Sequence, residues 1–335
     1  RFSQLEEENS MVKVNSVLGA IDPDKLGFTL THEHISGSSP GFQFTYPEIT
    51  NADKVEPLAI KDLKRARQQG VTTIVDCSTY DLGRDVRLIE AISRGSGVQI
   101  ICATGSHLYV PRTFFESMFP WLAPMPADDI ANLWVREIEE GIEGTGVKAG
   151  IIKVATSDPI LPAEELMLRA AARTHLRTGV PITTHTPMLS RVGEEQIRVL
   201  EEEGVDMANV YIGHVNSTLD KDYHLRLIDK GVWLGMDHFF PSGPPGSPDW
   251  EERSSFIKDL IDSGYEDRIM MSHDWNFGLQ TGHCFKPASP SRDEHPDAFL
   301  WISKSVLPRL RELGASESSI TSLMVDNPRR FFGGK

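Results

Sequence analysis

The sequence is short of cysteine, of basic charge and of long apolar runs. Its three cysteines, Cys77, Cys102 and Cys284, are too few for a disulfide framework. Cys77 and Cys102 stand in apolar runs of β-like sequence, which is typical of reduced, structural thiols. No run approaches the ~20 continuous apolar residues of a transmembrane helix, so we expect no membrane span.

Basic residues are outnumbered by acidic ones. Lys and Arg total 34 against 48 Asp and Glu in 335 residues, a formal net charge of −14. Nucleic acids and anionic membranes both select basic surfaces, so this balance argues against general binding to either. Hydrophobic residues at 39% and charged residues at 24% are typical of a globular chain with a large core.

The amino-terminal segment differs from the rest of the chain. Residues 1–10 are polar and acidic and lack the charged and then apolar layout of a signal peptide. We interpret residues 1–10 as a tag or disordered extension and residues 11–335 as one domain. A cytoplasmic location is favoured.

The chain alternates between short apolar runs and longer segments with helical spacing, which indicates a parallel sheet covered by helices. Eight such units without a linker favour a closed (β/α)8 TIM barrel over an open doubly wound sheet. An open sheet would more often carry a glycine-rich phosphate loop after its first strand, where His32-Glu33-His34 stands instead. The predicted strands are 27–31, 71–78, 98–104, 149–155, 180–185, 209–214, 231–236 and 268–272. The predicted helices are 54–69, 84–93, 127–143, 163–178, 193–203, 221–230, 250–263, 296–313 and 317–325, with long loops at 239–249 and 276–295.

Side chains that ligate metals stand at the carboxyl ends of the predicted strands, the catalytic face of a barrel. In His32-Glu33-His34, residues i and i+2 of an extended chain point the same way, so both imidazoles can face one metal. Each of these side chains alone more often has a structural role, such as hydrogen bonding. Their convergence on one face predicts a metal centre formed by His32, His34, Lys153, His185, His214 and Asp274.

Lys153 needs a chemical explanation, because an ammonium beside metal ions and imidazoles would be repelled. Carboxylation of its amine by carbon dioxide gives a carbamate, N6-carboxylysine, whose two oxygens can bridge two metals and whose charge offsets part of theirs. The nitrogen and oxygen ligands predict two divalent ions per chain, zinc by default, with cobalt or manganese as alternatives. The expected set is His32, His34 and Asp274 on one metal, His185 and His214 on the other, and carboxylated Lys153 between them.

Five ordered motifs carry a resemblance to a known family. They are His32-Glu33-His34, Ile151-Ile152-Lys153-Val154-Ala155, Thr183-Thr184-His185-Thr186, Ile212-Gly213-His214 and Ser272-His273-Asp274-Trp275. With them, the chain resembles the bacterial phosphotriesterase family of the amidohydrolase superfamily from Gly19 to Phe332. The resemblance implies a (β/α)8 barrel with a binuclear carboxylated-lysine site. It implies hydrolysis of organophosphate triesters or, in the phosphotriesterase-like branch, of lactones, including acyl-homoserine lactones.

The predicted site indicates a hydrolase of small, neutral, hydrophobic esters. Two metals that share a water lower its pKa, so that a metal-bridging hydroxide attacks an aryl dialkyl phosphate or, in the alternative, a lactone. Asp274 is the candidate that takes the proton of the water. A related deaminase or dihydroorotase is less favoured, because its polar ring substrates call for charged pocket groups. A barrel without catalysis is less favoured because all six ligands are present.

The sequence departs from the family's proton relay. Ser217 stands three residues after His214, where members often carry Asp. His238 matches the relay histidine of the triesterase branch, where members of the lactonase branch often carry Arg. His238 is therefore a candidate catalytic residue in a half-complete relay, with Asp220 as an alternative acid.

The rim of the predicted pocket is mostly apolar, which suits an aryl leaving group or an acyl tail. His107 is interpreted as a pocket wall, as a donor to the leaving group or as a solvated loop residue. Trp275 is interpreted as a side chain packed under the site. The predicted pocket residues are Leu82, His107, Leu108, Tyr109, Phe239, Phe240, Trp275, Asn276 and Leu279.

An aromatic segment with Phe114, Phe115, Phe119 and Trp121 follows the third predicted strand. It is interpreted either as a packed loop helix or as a homodimer interface, because exposed aromatic clusters are rarely left bare. We expect a homodimer, as the family resemblance also implies.

Overall fold

The framework is a sheet of eight parallel strands, β3 to β10, in which each strand is hydrogen-bonded to the next along the chain. The computed structural model describes residues 12–108, 125–239, 245–278 and 292–334, so the predicted extension at 1–10 lies outside the described residues. A hairpin of two strands, β1 and β2, precedes the sheet. The strands are β1 Val14–Ser16, β2 Gly19–Ile21, β3 Phe28–Glu33, β4 Val71–Asp76, β5 Gln99–Ser106, β6 Ile151–Ala155, β7 Ile182–His185, β8 Val210–Ile212, β9 Trp233–Met236 and β10 Ile269–Met271.

The two edges of the sheet meet, which closes the barrel. Beyond β10, the N–H of Asp274 donates to the carbonyl of His32 at 3.0 Å. The N–H of His34 donates to the carbonyl of Trp275 at 2.9 Å, and the N–H of Phe277 donates to the carbonyl of His34 at 2.8 Å. The predicted (β/α)8 barrel is therefore confirmed, and its closure brings the end of β3 against the segment after β10.

Helices surround the barrel. Two of them differ from the prediction because a proline interrupts them. The π-helical turns Ile302–Val306 and Ser322–Asp326 precede Pro308 and Pro328. Each proline lacks the N–H that the regular α-helical hydrogen-bond pattern requires. Among the helices in the described ranges, none is long and apolar enough to cross a membrane. The helices are Phe42–Thr45, Pro47–Thr50, Ala52–Gln68, Val86–Ser96, Ala127–Glu139, Pro162–Thr178, Gly193–Glu202, Lys221–Asp229, Trp250–Asp262, Leu307–Glu312, Glu317–Thr321 and Asn327–Gly333.

Buried apolar side chains form one cluster inside the barrel and a larger one between the strands and the helices. Ile151 and Tyr211 belong to the inner cluster, and Ile152 belongs to the outer one. Successive side chains of a strand point to opposite faces. Lys153, two residues after Ile151 on β6, therefore points into the barrel, nearer to its carboxyl end.

The strands before two of the predicted ligands end earlier than expected. β8 ends at Ile212 and β10 ends at Met271. His214 and Asp274 follow in left-handed backbone, with φ of 61° and 59°. Residues other than glycine hold this conformation only where the surrounding structure over-determines it, and such positions cluster at functional sites. The two side chains reach the barrel mouth from tight turns.

Candidate metal centre

The predicted ligand histidines converge at the carboxyl end of the barrel. The ring centroid of His32 lies 5.5 Å from that of His34 and 4.7 Å from that of His214. The ring of His185 lies 4.6 Å from that of His214. Nζ of Lys153 lies 2.9 Å from Nε2 of His32. The structure thus brings ligands from β3, β6, β7 and the turn after β8 into one cluster.

Asp274 lies between three of these imidazoles. Its Oδ1 is 3.3 Å from Nε2 of His34 and 3.8 Å from Nε2 of His32, and its Oδ2 is 3.9 Å from Nδ1 of His214. Two ligands that each lie about 2.0–2.1 Å from a tetrahedral zinc ion are about 3.3–3.4 Å apart. His32, His34 and Asp274 form a group that can hold a metal ion, with the composition predicted for one of the two metals.

A hydrogen bond behind the ring of His34 determines which of its nitrogens faces the centre. Nδ1 of His34 lies 3.0 Å from Oγ of Ser78, which donates its own hydrogen to the carbonyl of Ser36 at 2.9 Å. Oγ of Ser78 therefore accepts a hydrogen bond from Nδ1 of His34. The remaining nitrogen, Nε2, carries the free lone pair on the side of Asp274. Metal-binding histidines are held in this way, by an acceptor on the ring nitrogen away from the metal.

A residue that the sequence reasoning passed over orients ligands of both predicted metals. Asp237 directly follows β9 and is fully buried. Its Oδ2 lies 3.0 Å from Nδ1 of His32, and its Oδ1 lies 2.9 Å from Nδ1 of His214. Asp237 also accepts the hydroxyl of Tyr211 at 2.7 Å and the backbone N–H of His214 at 2.7 Å. These are hydrogen-bond distances, so the carboxylate fixes the two rings and leaves their Nε2 atoms for metal.

The same neighbours favour the ionised form of the Asp237 carboxyl. Burial alone would raise its pKa, but His214 and His32 hold the pKa below its ordinary value. The sequence offered one signal for this role, an acidic residue directly after an apolar strand and directly before His238. The role depends on partners from β3 and from the turn after β8, which the sequence does not place beside it.

Burial favours the neutral form of Lys153, His32 and His185. Lys153 is 1% exposed, and burial lowers the pKa of its amine. Burial also lowers the pKa of His32 to about 3 and that of His185 well below its ordinary value. Neutral imidazole is the form that binds metal, and a neutral amine is the form that reacts with carbon dioxide. The donor set of imidazoles, one carboxylate and one neutral amine fits divalent metal ions.

His238 stands beside the ligands and is held from several sides. Its ring centroid lies 5.5 Å from that of His214. Its backbone N–H donates to Oδ1 of Asn216 at 3.1 Å, and its carbonyl accepts from Nδ2 of Asn216 at 3.3 Å and from the buried guanidinium of Arg253. Its Nδ1 lies 3.0 Å from Oγ of Ser217. The ring therefore has a fixed position, and burial lowers its pKa to about 4.

Asp220, the alternative relay acid, is engaged elsewhere. Its Oδ1 accepts the backbone N–H of Tyr223 at 3.2 Å and so caps the helix Lys221–Asp229. Its Oδ2 pairs with Nε of Arg191 at 2.7 Å. Both oxygens are thus committed to a surface turn, while the partner on Nδ1 of His238 is Ser217.

His107 lies at the edge of the ligand cluster. Its ring centroid is 5.0 Å from that of His185, within the range of distances between the ligand rings themselves. Its backbone N–H donates to both carboxylate oxygens of Asp81 at 2.9 Å. Burial lowers the pKa of the His107 imidazole to about 3. This placement supports contact with a bound substrate over the interpretation as a solvated loop residue.

The other predicted pocket residues have different environments. Asn276 pairs with His34 along the backbone, Leu82 is half-buried, and Leu108 is exposed. Trp275 is buried in the outer core, which fits packing under the site. Phe239 was expected on the rim, but it is 1% exposed and packs among the apolar side chains of the same outer core, so it is withdrawn from the barrel mouth. Outside the described residues lie Tyr109, Phe240 and Leu279, and the aromatic segment with Phe114, Phe115, Phe119 and Trp121.

Comparisons with known proteins agree with this geometry. The sequence profile of the phosphotriesterase family matches residues 12–332. The chain is 34% identical over 314 residues to an aryldialkylphosphatase of Saccharolobus solfataricus, covering 93% of this chain and 97% of the relative. It is 36% identical over 333 residues to a phosphotriesterase homology protein of Mycobacterium tuberculosis, covering 96% and 98%. A solved phosphotriesterase structure from Mycobacterium tuberculosis superposes with a TM-score of 0.84 at 34% identity, over 96% of this chain and 98% of that one.

Proposed function

The chain belongs to the phosphotriesterase family and is a metal-dependent hydrolase, and we propose that it hydrolyses aryl dialkyl phosphates at a centre of two divalent ions. The observation that carries the proposal is the position of Asp274, whose carboxylate lies 3.3 Å from His34 and 3.8 Å from His32. A half-buried carboxylate beside two imidazoles is a ligand set for a divalent ion. Zinc is the proposed metal, with cobalt or manganese as alternatives.

Lys153 is proposed to join the two halves of the site as N6-carboxylysine. Its amine lies 2.9 Å from Nε2 of His32, the atom that faces the first metal. Protonated, the same amine would be a buried cation with no carboxylate in hydrogen-bond contact among the described residues, an unfavourable arrangement. Carboxylation removes that cation and supplies two oxygens. His185 and His214, whose rings lie 4.6 Å apart, are proposed to hold the second ion.

Divalent ions, when bound, supply a water of lowered pKa and polarise the phosphoryl or carbonyl oxygen of the ester. The residues of the chain have separate tasks around that chemistry. Asp237 holds His32 and His214 by their Nδ1 atoms. Asp274 is proposed to take the proton of the attacking water, since its Oδ1 faces the Nε2 atoms of His32 and His34. His238, beside His214, and His107, beside His185, are proposed to contact the bound ester.

The substrate is proposed to be a phosphate triester because the triesterase branch is matched at His238 and because a similar protein bears the name aryldialkylphosphatase. Leu82, Leu108 and Asn276 are proposed to line the pocket with His107. A lactone, such as an acyl-homoserine lactone, is the second candidate, and one observation favours it. Ser217 stands behind His238, at the position of the relay acid. The missing acid counts against efficient proton relay in a triesterase. The homodimer stays a prediction, which light scattering after size-exclusion chromatography checks.

The experiment compares the two substrates on one preparation. Zinc-loaded protein is assayed for kcat/KM with 4-nitrophenyl diethyl phosphate and with an acyl-homoserine lactone, beside a His238→Arg variant. We expect kcat/KM to be higher for the phosphate in the wild type and to shift toward the lactone in the variant. A wild type that hydrolyses the lactone alone replaces the first proposal with the second. Hydrolysis of neither ester contradicts both.

A further inference from the structure

Between the two ligands of β3 lies a buried carboxylate that the chemistry above does not use. Glu33 has no exposed surface, and its position between His32 and His34 turns it to the opposite face of the strand. Its Oε1 accepts Oγ of Ser272 at 2.6 Å and the N–H of His273 at 2.9 Å. Glu33 therefore spans from the strand that carries two ligands to the turn that carries Asp274.

The same carboxylate holds that turn on both sides of Asp274. Oε1 also lies 2.6 Å from Nδ1 of His273, the residue before Asp274. Oε2 accepts the backbone N–H of Trp275, the residue after Asp274, at 2.9 Å. Four hydrogen bonds thus converge on one side chain, and all four of these partners are donors.

The tautomer of His273 is determined by a hydrogen bond from Ile302. The backbone N–H of Ile302 lies 2.9 Å from Nε2 of His273, and a backbone N–H can only donate. Nε2 therefore accepts, the proton of the neutral ring is on Nδ1, and Nδ1 donates to Glu33. An amide in place of the Glu33 carboxylate would direct its NH2 group at one of these donors, whichever way it turned.

We propose that Glu33 is a positioning residue for the metal centre. It keeps Asp274 in the left-handed conformation, φ of 59°, and thereby sets the distance of 3.3 Å between Asp274 and His34. That distance determines how well the two side chains share an ion. The inference rests on the proposed function, since it concerns the metal that His32, His34 and Asp274 would hold.

The test measures binding of Co²⁺ to metal-free wild type and to Glu33→Gln, by titration and by the visible absorption of the bound ion. Partners that orient metal ligands change metal affinity by about 10–100-fold, so we expect a loss of that size for one ion and an altered spectrum. The matched control is Glu164→Gln. Glu164 is a buried carboxylate that accepts from Ser157 N–H at 2.9 Å, Ser157 Oγ at 2.6 Å and Leu161 N–H at 2.8 Å. This control is expected to lower the unfolding temperature and to leave Co²⁺ affinity and spectrum unchanged.

A milder variant guards against misfolding. Ser272→Ala removes one of the four donors and is expected to lower the affinity for the same ion by less than about tenfold. A folded Glu33→Gln with wild-type affinity and spectrum overturns the inference, even if its unfolding temperature falls. If Glu33→Gln does not fold, an unchanged spectrum and affinity in Ser272→Ala overturns it. A wild type that binds no Co²⁺ contradicts the proposed function, and this inference with it.

Discussion

The hydroxyl of Ser217 lies 3.0 Å from Nδ1 of His238. A serine hydroxyl holds an imidazole in place, but it does not accept a proton near neutral pH as an aspartate would. Asp220, the nearby alternative, caps a helix and pairs with Arg191. Among the residues that the structure describes, the partner on Nδ1 of His238 is therefore a hydroxyl and not an acid.

His238→Ala is therefore expected to lower kcat/KM by less than tenfold, about 1.4 kcal/mol. The loss should differ between esters, because the ring then acts chiefly as a pocket wall. Steady-state kinetics on a series of triesters and lactones measures both effects. Ser217→Asp serves as the control background, in which loss of His238 should cost more. A uniform loss of several hundredfold in the natural background would show a complete relay through another acid.

Lys153→Ala is expected to lose most activity and the second metal ion, because the bridging carboxylate is gone. A short carboxylic acid, added in bicarbonate-free buffer, should partly restore the rate by supplying that carboxylate. Lys153→Arg should not respond, since its guanidinium fills the space as a cation. Normal turnover and two bound ions in Lys153→Ala would rule out the carbamate.

Asp274→Asn keeps the shape of the side chain and removes its charge. General acid–base groups contribute about 10²–10⁴-fold, so kcat is expected to fall by that factor. Elemental analysis of the same sample shows whether an ion is lost as well. A kcat within a factor of ten of wild type, with both ions bound, would remove Asp274 from the proton transfer.

Asp237→Asn tests the residue that the sequence reasoning missed. Four donors face its carboxylate, from His32, Tyr211 and, twice, His214. An amide opposes at least one of them, so zinc affinity should fall by about 10–100-fold in a chelator competition. Tyr211→Phe removes one donor and leaves the carboxylate, so its loss should be much smaller. Equal losses in the two variants would indicate a general effect of the buried cluster.

Much of the fold was predictable because each barrel unit is local. Strands such as Val71–Asp76 and Ile151–Ala155 are apolar runs bounded by turn signals, and a helix follows each of them before the next strand. The convergence of the predicted ligands was predictable for the same reason, since strand ends in a closed barrel share one face. The hairpin Val14–Ser16 and Gly19–Ile21 was missed because its strands have three residues each.

What the sequence did not show depends on contacts between distant segments. His214 and Asp274 were placed at strand ends, yet both lie in left-handed turns, and the contacts around those turns come from segments distant in the sequence. Phe239 was placed on the rim from its neighbours in sequence, and its packing in the outer core depends on helices far along the chain. Hydrogen bonds across the barrel, such as Asp237 to His32, have no local signature.

The central claim is that hydrolysis depends on two divalent ions held by this cluster. The most direct measurement removes metal with a chelator, confirms its absence by elemental analysis, and follows the hydrolysis rate of an aryl dialkyl phosphate as zinc is added back. The account predicts a negligible rate without metal and full activity at two ions per chain, with cobalt or manganese able to replace zinc. Full activity in metal-free protein, or a maximum reached at one ion per chain, would contradict it.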